Sequence, residues 1–470
     1  MNSPSLVLYF GSRVISAAGN LASVALFARM VGPAEYGAYI LMFAWAILVY
    51  GFATQWMKFS YFGVYRAAHE DKIIVSYIRL ATAAMLAACL IAGAAALIRP
   101  DDTEFILALV ALFIGMTIYE AALEISRTRL QVTAVAFSMI CRAVFVLALG
   151  YLSLQIHHSA ISLALGVSAG HLLGAIPTLG KLRSLPLLSP LTDGYKAIIR
   201  YGWPLIFSFG ILAIGQTIDR FLIAKYAGNA ILGPYGVVAD MMRQSFLVVG
   251  ESIALALITV AKRHADEGRR DDSDAVMRST FHACLLAGSF GAAFFIIFGN
   301  EITRILLGPD FTAVARDVIP LFAIAFGFMT LRAFYFGQVI YFASSTLFEL
   351  LIASTFVLSS GILALILVPG HGAFGGALAL MVAHVFSCLI SALLGRRLYP
   401  FPVNVAALIA IPAMAAIAIV LSEALADVLG TGILTLIGQA VILFGSASFT
   451  AWKFDLLALV TIRREPQAHA

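Results

Sequence analysis

The chain has 470 residues, 61% apolar and 12% charged, with a formal net charge of +5 and a mean hydropathy of +0.97. An average globular chain carries about 25% charged residues, and a soluble globule cannot hide this much hydrocarbon from water. The excess must face lipid, which excludes a soluble enzyme or a nucleic-acid-binding domain and makes this an all-α polytopic membrane protein.

A membrane span needs about 20 apolar residues. Fourteen are predicted, at 6–28, 36–57, 80–98, 105–125, 132–154, 159–180, 200–226, 232–260, 280–299, 318–341, 346–368, 373–395, 403–425 and 432–457. The first has no basic region before it and leads straight into further spans, so it is not read as a cleavable signal. Placing both termini in the cytoplasm puts only Arg29, Arg99, Lys225, Arg304 and Arg316 in outer loops. Arg13, Arg142, Arg220, Arg243 and Arg332 fall within spans, and the other twenty of the thirty Lys and Arg residues face inward. That bias fixes the orientation.

The first span carries Arg13, Ser16, Asn20 and Ser23 at steps of three and four residues, which puts them on one face, suited to lining a cavity. Arg142 and Arg243 each lie about eleven residues into their spans, ~16 Å deep and close to the midplane. Arg332 lies in the inner half of the tenth span. Arg220 is near the outer end of the seventh, where its length would let it snorkel outward. Charges at such depth are costly and usually point into the bundle. These arginines, with Asn20, are the candidate substrate-binding groups, because a guanidinium stays charged in any environment and gripping a diphosphate suits its planar fork. The acids Glu120, Glu124, Asp219, Asp240 and Glu251 are candidates for carrying a coupling proton or sodium ion. Asp240 with Arg243, and Asp219 with Arg220, are read equally as structural ion pairs. His171 and His384 are read as packed core residues.

Nothing in the chain points to catalysis, a metal or a cofactor. Cys89, Cys141, Cys284 and Cys388 all lie in apolar stretches with no CxxC. There is no Walker motif, nucleophile elbow or HExxH.

The two halves repeat. Residues 29–39 (RMVGPAEYGAY) match 225–235 (KYAGNAILGPY) at an offset of 196, sharing a basic residue and then G-x4-G-x-Tyr. Gln131-Val132 matches Gln338-Val339 at 207, and 158–171 (HSAISLALGVSAGH) matches 371–384 (HGAFGGALALMVAH) at 213. Six spans separate the repeated elements, so the repeat is parallel, with a pseudo-twofold axis along the membrane normal. The expected organisation is a six-helix lobe at 1–180, an inner linker at 181–199, and a second six-helix lobe at 200–400. Two additional helices and a tail at 401–470 complete the chain, with a central cavity between the lobes.

ARMVGPAEYGAYILMFAW at 28–45 resembles the polysaccharide (O-antigen type) flippases of the multidrug/oligosaccharidyl-lipid/polysaccharide exporter superfamily. So do Asp219-Arg220-Phe221-Leu222-Ile223 with Gly228…Gly233-x-Tyr235, Gly308-Pro309-Asp310-Phe311, and the run from Pro369 to Ala377. The segment after Gln338 (VIYFASSTLFE) departs from the pattern, lacking the glycine and basic residue expected in that inner loop. The resemblance implies a non-enzymatic transporter in the bacterial inner membrane that moves a polyprenyl-diphosphate-linked oligosaccharide to the outer leaflet. It further implies membrane lipids and a polysaccharide polymerase as partners, and a pathway making lipopolysaccharide or exopolysaccharide. Two other classes stay open: a drug antiporter of the same fold, which calls for acids rather than arginines in its cavity, and a membrane-embedded glycan polymerase or ligase, which calls for a larger outer loop than any here.

Overall fold

The computed structural model describes residues 3–66, 70–182, 185, 194–343, 346–430 and 432–456, and every regular element among them is helical. In hydrocarbon a backbone must satisfy its own N–H and C=O groups, which a helix does within one segment. In chain order the elements are α1 (Ser3–Tyr50), a π-helical turn (Gly51–Gln55), α2 (Trp56–Val64), α3 (Glu70–Ile98), α4 (Thr103–Thr128) and α5 (Val132–Ile156). There follow α6 (Ala160–Gly174), α7 (Ile176–Leu179), α8 (Gly194–Tyr226), α9 (Asn229–Asp266) and α10 (Arg270–Leu306). The last are α11 (Thr312–Phe334), α12 (Val339–Ala343), α13 (Thr346–Leu398), α14 (Val405–Leu429) and α15 (Ile433–Lys453).

Among the described residues, twelve continuous helical runs are long and apolar enough to cross a membrane. Two of them, at Gly11–Val64 and Leu350–Leu398, are of double length. Each is broken at one glycine, Gly32 (φ 75°, ψ 174°) and Gly372 (φ 51°, ψ −128°). A side chain disfavours both conformations and glycine does not. Pro33 then starts the following helix, where its missing N–H costs nothing. Divided at these glycines, the runs give fourteen segments of span length.

The structure differs from the expected spans mainly at their ends. The second span was expected to stop at residue 57, with Lys58 in an inner loop; instead the helix continues through the π turn to Val64. The charged segment at 261–279 is not a loop, since α9 runs to Asp266 and α10 begins at Arg270. Ion pairs of Lys262 with Asp266 and of Arg263 with Glu267 extend α9 past the apolar stretch. In the turn between the helices, hydrogen bonds from Arg269 and Arg263 hold the exposed Glu267 carboxyl below its usual range. The tenth span is interrupted by a 3-10 turn at Phe336–Gln338. Most of the expected linker at 181–199 lies outside the described residues.

The chain forms two compact units, Met1–Gly236 and Val237–Ala470. In the first, α5 packs along α6 and α1, and α8 packs on α1, α2 and α3. Gly166, Gly170 and Gly174 form a small-residue stripe on α6 that lets α5 come close. A Cβ on Gly170 would lie 2.6 Å from Val146 Cα, and one on Gly174 2.6 Å from Arg142 Cα. The carboxylate of Glu35 accepts from Ala160 N (2.7 Å), and Ser159 accepts from Ser162 N (3.2 Å), together capping α6. In the second unit α11 packs between α10 and α13, with α14 against α10. Gly288 and Gly327 meet backbone to backbone, and Phe281, Phe322, Phe326 and Tyr335 fill the core.

The repeated G-x4-G element has a packing reason. Gly37 and Gly233, equivalent at the offset of 196, face each other within the first unit. A Cβ on Gly37 would lie 1.9 Å from the Asn229 carbonyl oxygen, and one on Gly233 would lie 2.1 Å from that of Pro33. Asn229 is itself the repeat equivalent of Pro33, so the contact is reciprocal.

Candidate anion site in the membrane

Arg142 sits in the middle of α5, where Gly174 brings the α6 backbone against its own. Its guanidinium reaches α1 and α4. Nη2 donates to Ser16 Oγ (3.2 Å) and Asn20 Oδ1 (3.5 Å), and the guanidinium carbon lies 5.3 Å from the centroid of the Tyr119 ring. Gly19 permits this approach of α1, since a Cβ there would lie 2.9 Å from Ala143 Cβ. Each of these partners is neutral, and Nε is buried without a hydrogen-bond partner among the described residues. Arg142 is therefore half-buried, makes no ion pair among the described residues, and is supported by an aromatic face. Behind the ring, His171 packs edge-on to Tyr119 (5.8 Å between centroids), with its Nδ1 2.9 Å from the Val167 carbonyl oxygen.

One residue along α4, Glu120 faces a different partner. Lys58 Nζ donates to its carboxylate at 2.8 Å and lies 4.0 Å from Glu124, which is also 3.6 Å from Arg127. Thr54 and Thr117 are hydrogen bonded one turn away (3.3 Å). Lys58 lies in the first turn of α2, just after the π turn at Gly51–Gln55. Such a turn carries an extra residue and resets which face of the helix follows, a feature frequent at functional sites.

The structure thus brings Ser16, Asn20 and Arg142 together, and Glu120 with Glu124 through Lys58. Arg13, one turn before Ser16, is exposed. Arg220 does not snorkel outward: it is 5% exposed. The Asp219 carboxylate accepts from the Tyr235 hydroxyl (2.6 Å) and from Arg220 N (2.9 Å), joining α8 to the start of α9. In the second unit Arg243 donates to Asp240 at 3.1 Å, with the two side chains 39% and 36% exposed. Arg332 ends α11 with its guanidinium carbon 5.8 Å from the centroid of Phe356. Glu251 lies on an exposed face of α9.

Three contributors were not legible as site residues in the sequence: Lys58, Tyr119 and His171. Lys58 stands where hydropathy falls, which resembles a loop. Tyr119 and His171 meet Arg142 from other helices, and helical periodicity reports only faces of one helix.

A family model described as "Polysaccharide biosynthesis protein" matches residues 26–316. Among solved structures, the lipid II flippase MurJ in an inward closed conformation matches with a TM-score of 0.77 at 15% identity, covering 97% of this chain and 100% of that one. An inward-facing multidrug resistance MATE family transporter of the MOP superfamily gives 0.59 at 12% identity, covering 81% and 94%. A MOP superfamily transporter from Pyrococcus furiosus gives 0.57 at 13%, covering 84% and 94%. At these identities the likeness shows the fold alone. A search of curated proteins found no significant match.

Proposed function

The chain belongs to the polysaccharide biosynthesis protein family, and from that premise we propose that it flips a polyprenyl-diphosphate-linked oligosaccharide from the inner to the outer leaflet of a bacterial cytoplasmic membrane. The observation that carries this reading is Arg142: a midspan guanidinium whose hydrogen-bond partners are neutral oxygens of α1 and whose face rests on Tyr119. A diphosphate supplies the charge that this site lacks, and bidentate N–H groups suit its oxygens. Ser16, Asn20 and Tyr119 add the hydroxyl, amide and aromatic groups that sugars engage. A cavity of about 370 Å³ between α10, α11 and α14 is walled by apolar residues including Leu285, Ile296, Phe328, Leu408 and Ile419, chemistry suited to an isoprenoid tail.

In this reading the termini are cytoplasmic. One of Glu120, Glu124, Asp219, Asp240 and Glu251 carries the coupling proton or sodium ion, and a polysaccharide polymerase takes the product. A cationic drug finds less here, because Lys58 already pairs with Glu120 at 2.8 Å. The test is removal of the gene. Cells are expected to lose the surface glycan and accumulate its lipid-linked precursor on the cytoplasmic side; full surface glycan without the gene would overturn the proposal.

A further inference from the structure

At one end of the second unit an aromatic cluster ties the connection between α13 and α14 to the core. Tyr335, just past α11, is fully buried, and its hydroxyl donates to the Pro402 carbonyl oxygen. Its ring packs on Phe401, with centroids 5.5 Å apart. Phe401, Tyr399 and Phe342 then form a triangle of rings, each pair 5.1–5.6 Å apart. Tyr399 N donates to the Gly395 carbonyl oxygen (2.9 Å), so Tyr399 continues the last turn of α13. That turn makes Arg396 its neighbour three residues back. From the other side Arg270, the first residue of α10, lays its guanidinium over the Tyr399 ring, 5.3 Å from the centroid. One ring thus brings an arginine of α10 and an arginine of α13 together.

The cations here fall into two groups. In the α9–α10 turn Lys262 pairs with Asp266, Arg263 with Glu267, and Arg269 with Asp272. Arg270, Arg396 and Arg397 are exposed and make no ion pair among the described residues. Beside them Leu398, Val403 and Val405 are exposed as well, at 47%, 43% and 64%. Exposed aliphatic chains next to unpaired guanidinium groups suit the level where acyl chains meet head groups. There an arginine extends its charge toward water and aromatic rings anchor the chain. The place agrees with the chemistry: α13 and α14 are both long and apolar enough to cross a membrane, and 399–404 joins them.

We propose that Arg270 and Arg396, on either side of Tyr399, bind the head group of an anionic phospholipid of the surrounding bilayer. Its phosphate oxygens accept from both guanidinium groups, and its acyl chains lie along Leu398, Val403 and Val405. Arg397 adds to the local charge. A lipid held this way fastens the start of α10 to the end of α13. The assignment does not rest on the flippase reading.

Purified full-length protein in neutral detergent is titrated with phosphatidylglycerol and with phosphatidylcholine, and bound lipid is counted by native mass spectrometry. The unaltered protein is expected to prefer phosphatidylglycerol. Arg270→Gln combined with Arg396→Gln is expected to weaken that binding roughly thirtyfold, at about fivefold per arginine near a charged surface, while phosphatidylcholine binding stays as it was. Arg263→Gln is the control, since it removes a cation of the same region that already pairs with Glu267 at 3.0 Å; it should change little. If the double variant is not monodisperse, Arg270→Gln alone carries the comparison, with an expected loss of about fivefold. Equal affinity of the unaltered protein for the two lipids overturns the proposal, as does a double variant that binds phosphatidylglycerol undiminished. An Arg263→Gln loss as large as that of the double variant also overturns it, by showing attraction to bulk charge. So does displacement of phosphatidylglycerol by polyglutamate, which would give the arginines to an acidic protein segment. The readout is lipid binding, so a failure here leaves the proposed flipping intact.

Discussion

Cells whose only copy of the gene carries Arg142→Ala are expected to display a tenth or less of the normal surface polysaccharide while holding a normal amount of the protein in the membrane. Arg142 donates to Ser16 and Asn20, both neutral, so its removal strands no buried acid. What is lost is the charge that meets the diphosphate. Charge-assisted hydrogen bonds are worth about 1.5–3 kcal/mol, or roughly ten- to a hundredfold in affinity. Arg142→Lys should recover part of the output, since it keeps the charge and loses the planar fork. Arg243→Ala behaves differently, because it leaves Asp240 without its 3.1 Å partner; its defect should include a lower protein level, repaired by Asp240→Asn. Full polysaccharide at normal protein level in Arg142→Ala cells would remove Arg142 from the mechanism.

The second large effect concerns folding. Gly37→Ala and Gly233→Ala should each destabilise the protein by on the order of 4 kcal/mol or more, the range reserved for severe steric or burial defects. The added carbon would sit 1.9 Å or 2.1 Å from a carbonyl oxygen of the facing segment. Those are backbone atoms, so no rotamer change relieves the overlap and the helices themselves must move apart. Gly93→Ala on α3 is the control: nothing lies within 4 Å of its Cβ position, and alanine favours a helix over glycine. Thermal stability and the yield of monodisperse protein in detergent decide the matter. A Gly37→Ala protein as stable as its Gly93→Ala counterpart would show that the close approach is not obligatory.

The match of Gly37 with Gly233 shows how much of the fold a single sequence carried. The G-x4-G-x-Tyr element was visible as a repeat, and the structure supplies its reason, a reciprocal contact that only glycines allow. Membrane residence and the helical class followed from composition, because charge at 12% leaves few alternatives. Span ends were less legible. Hydropathy marks where lipid stops, whereas a helix continues as long as its polar side chains find partners, as Lys262 and Arg263 do on α9.

At the site, the face of α1 bearing Ser16 and Asn20 was readable from spacing within one helix. Its meeting with Arg142, Tyr119 and His171 joins four helices, and single-helix periodicity contains no such term. The repeat holds one further signal: the His171–His384 offset, carried back along the chain, places Tyr119 opposite Arg332 and, within one residue, Arg142 opposite Phe356. Arg220 shows the opposite failure. Its position near the end of a span suggested a route to water, but packing of α8 within the first unit leaves it 5% exposed.

Reconstituted translocation tests the central claim most directly. Purified protein is placed in liposomes with a fluorescent polyprenyl-diphosphate oligosaccharide, and the fraction reaching the opposite leaflet is followed by its loss of fluorescence to a membrane-impermeant quencher. The account predicts translocation above protein-free liposomes, reduced at least about tenfold by Arg142→Ala, in keeping with one lost charge-assisted contact, and little movement of a neutral polyprenol bearing the same label. Movement of the neutral lipid as fast as the diphosphate, or a rate unaltered by Arg142→Ala, would contradict it.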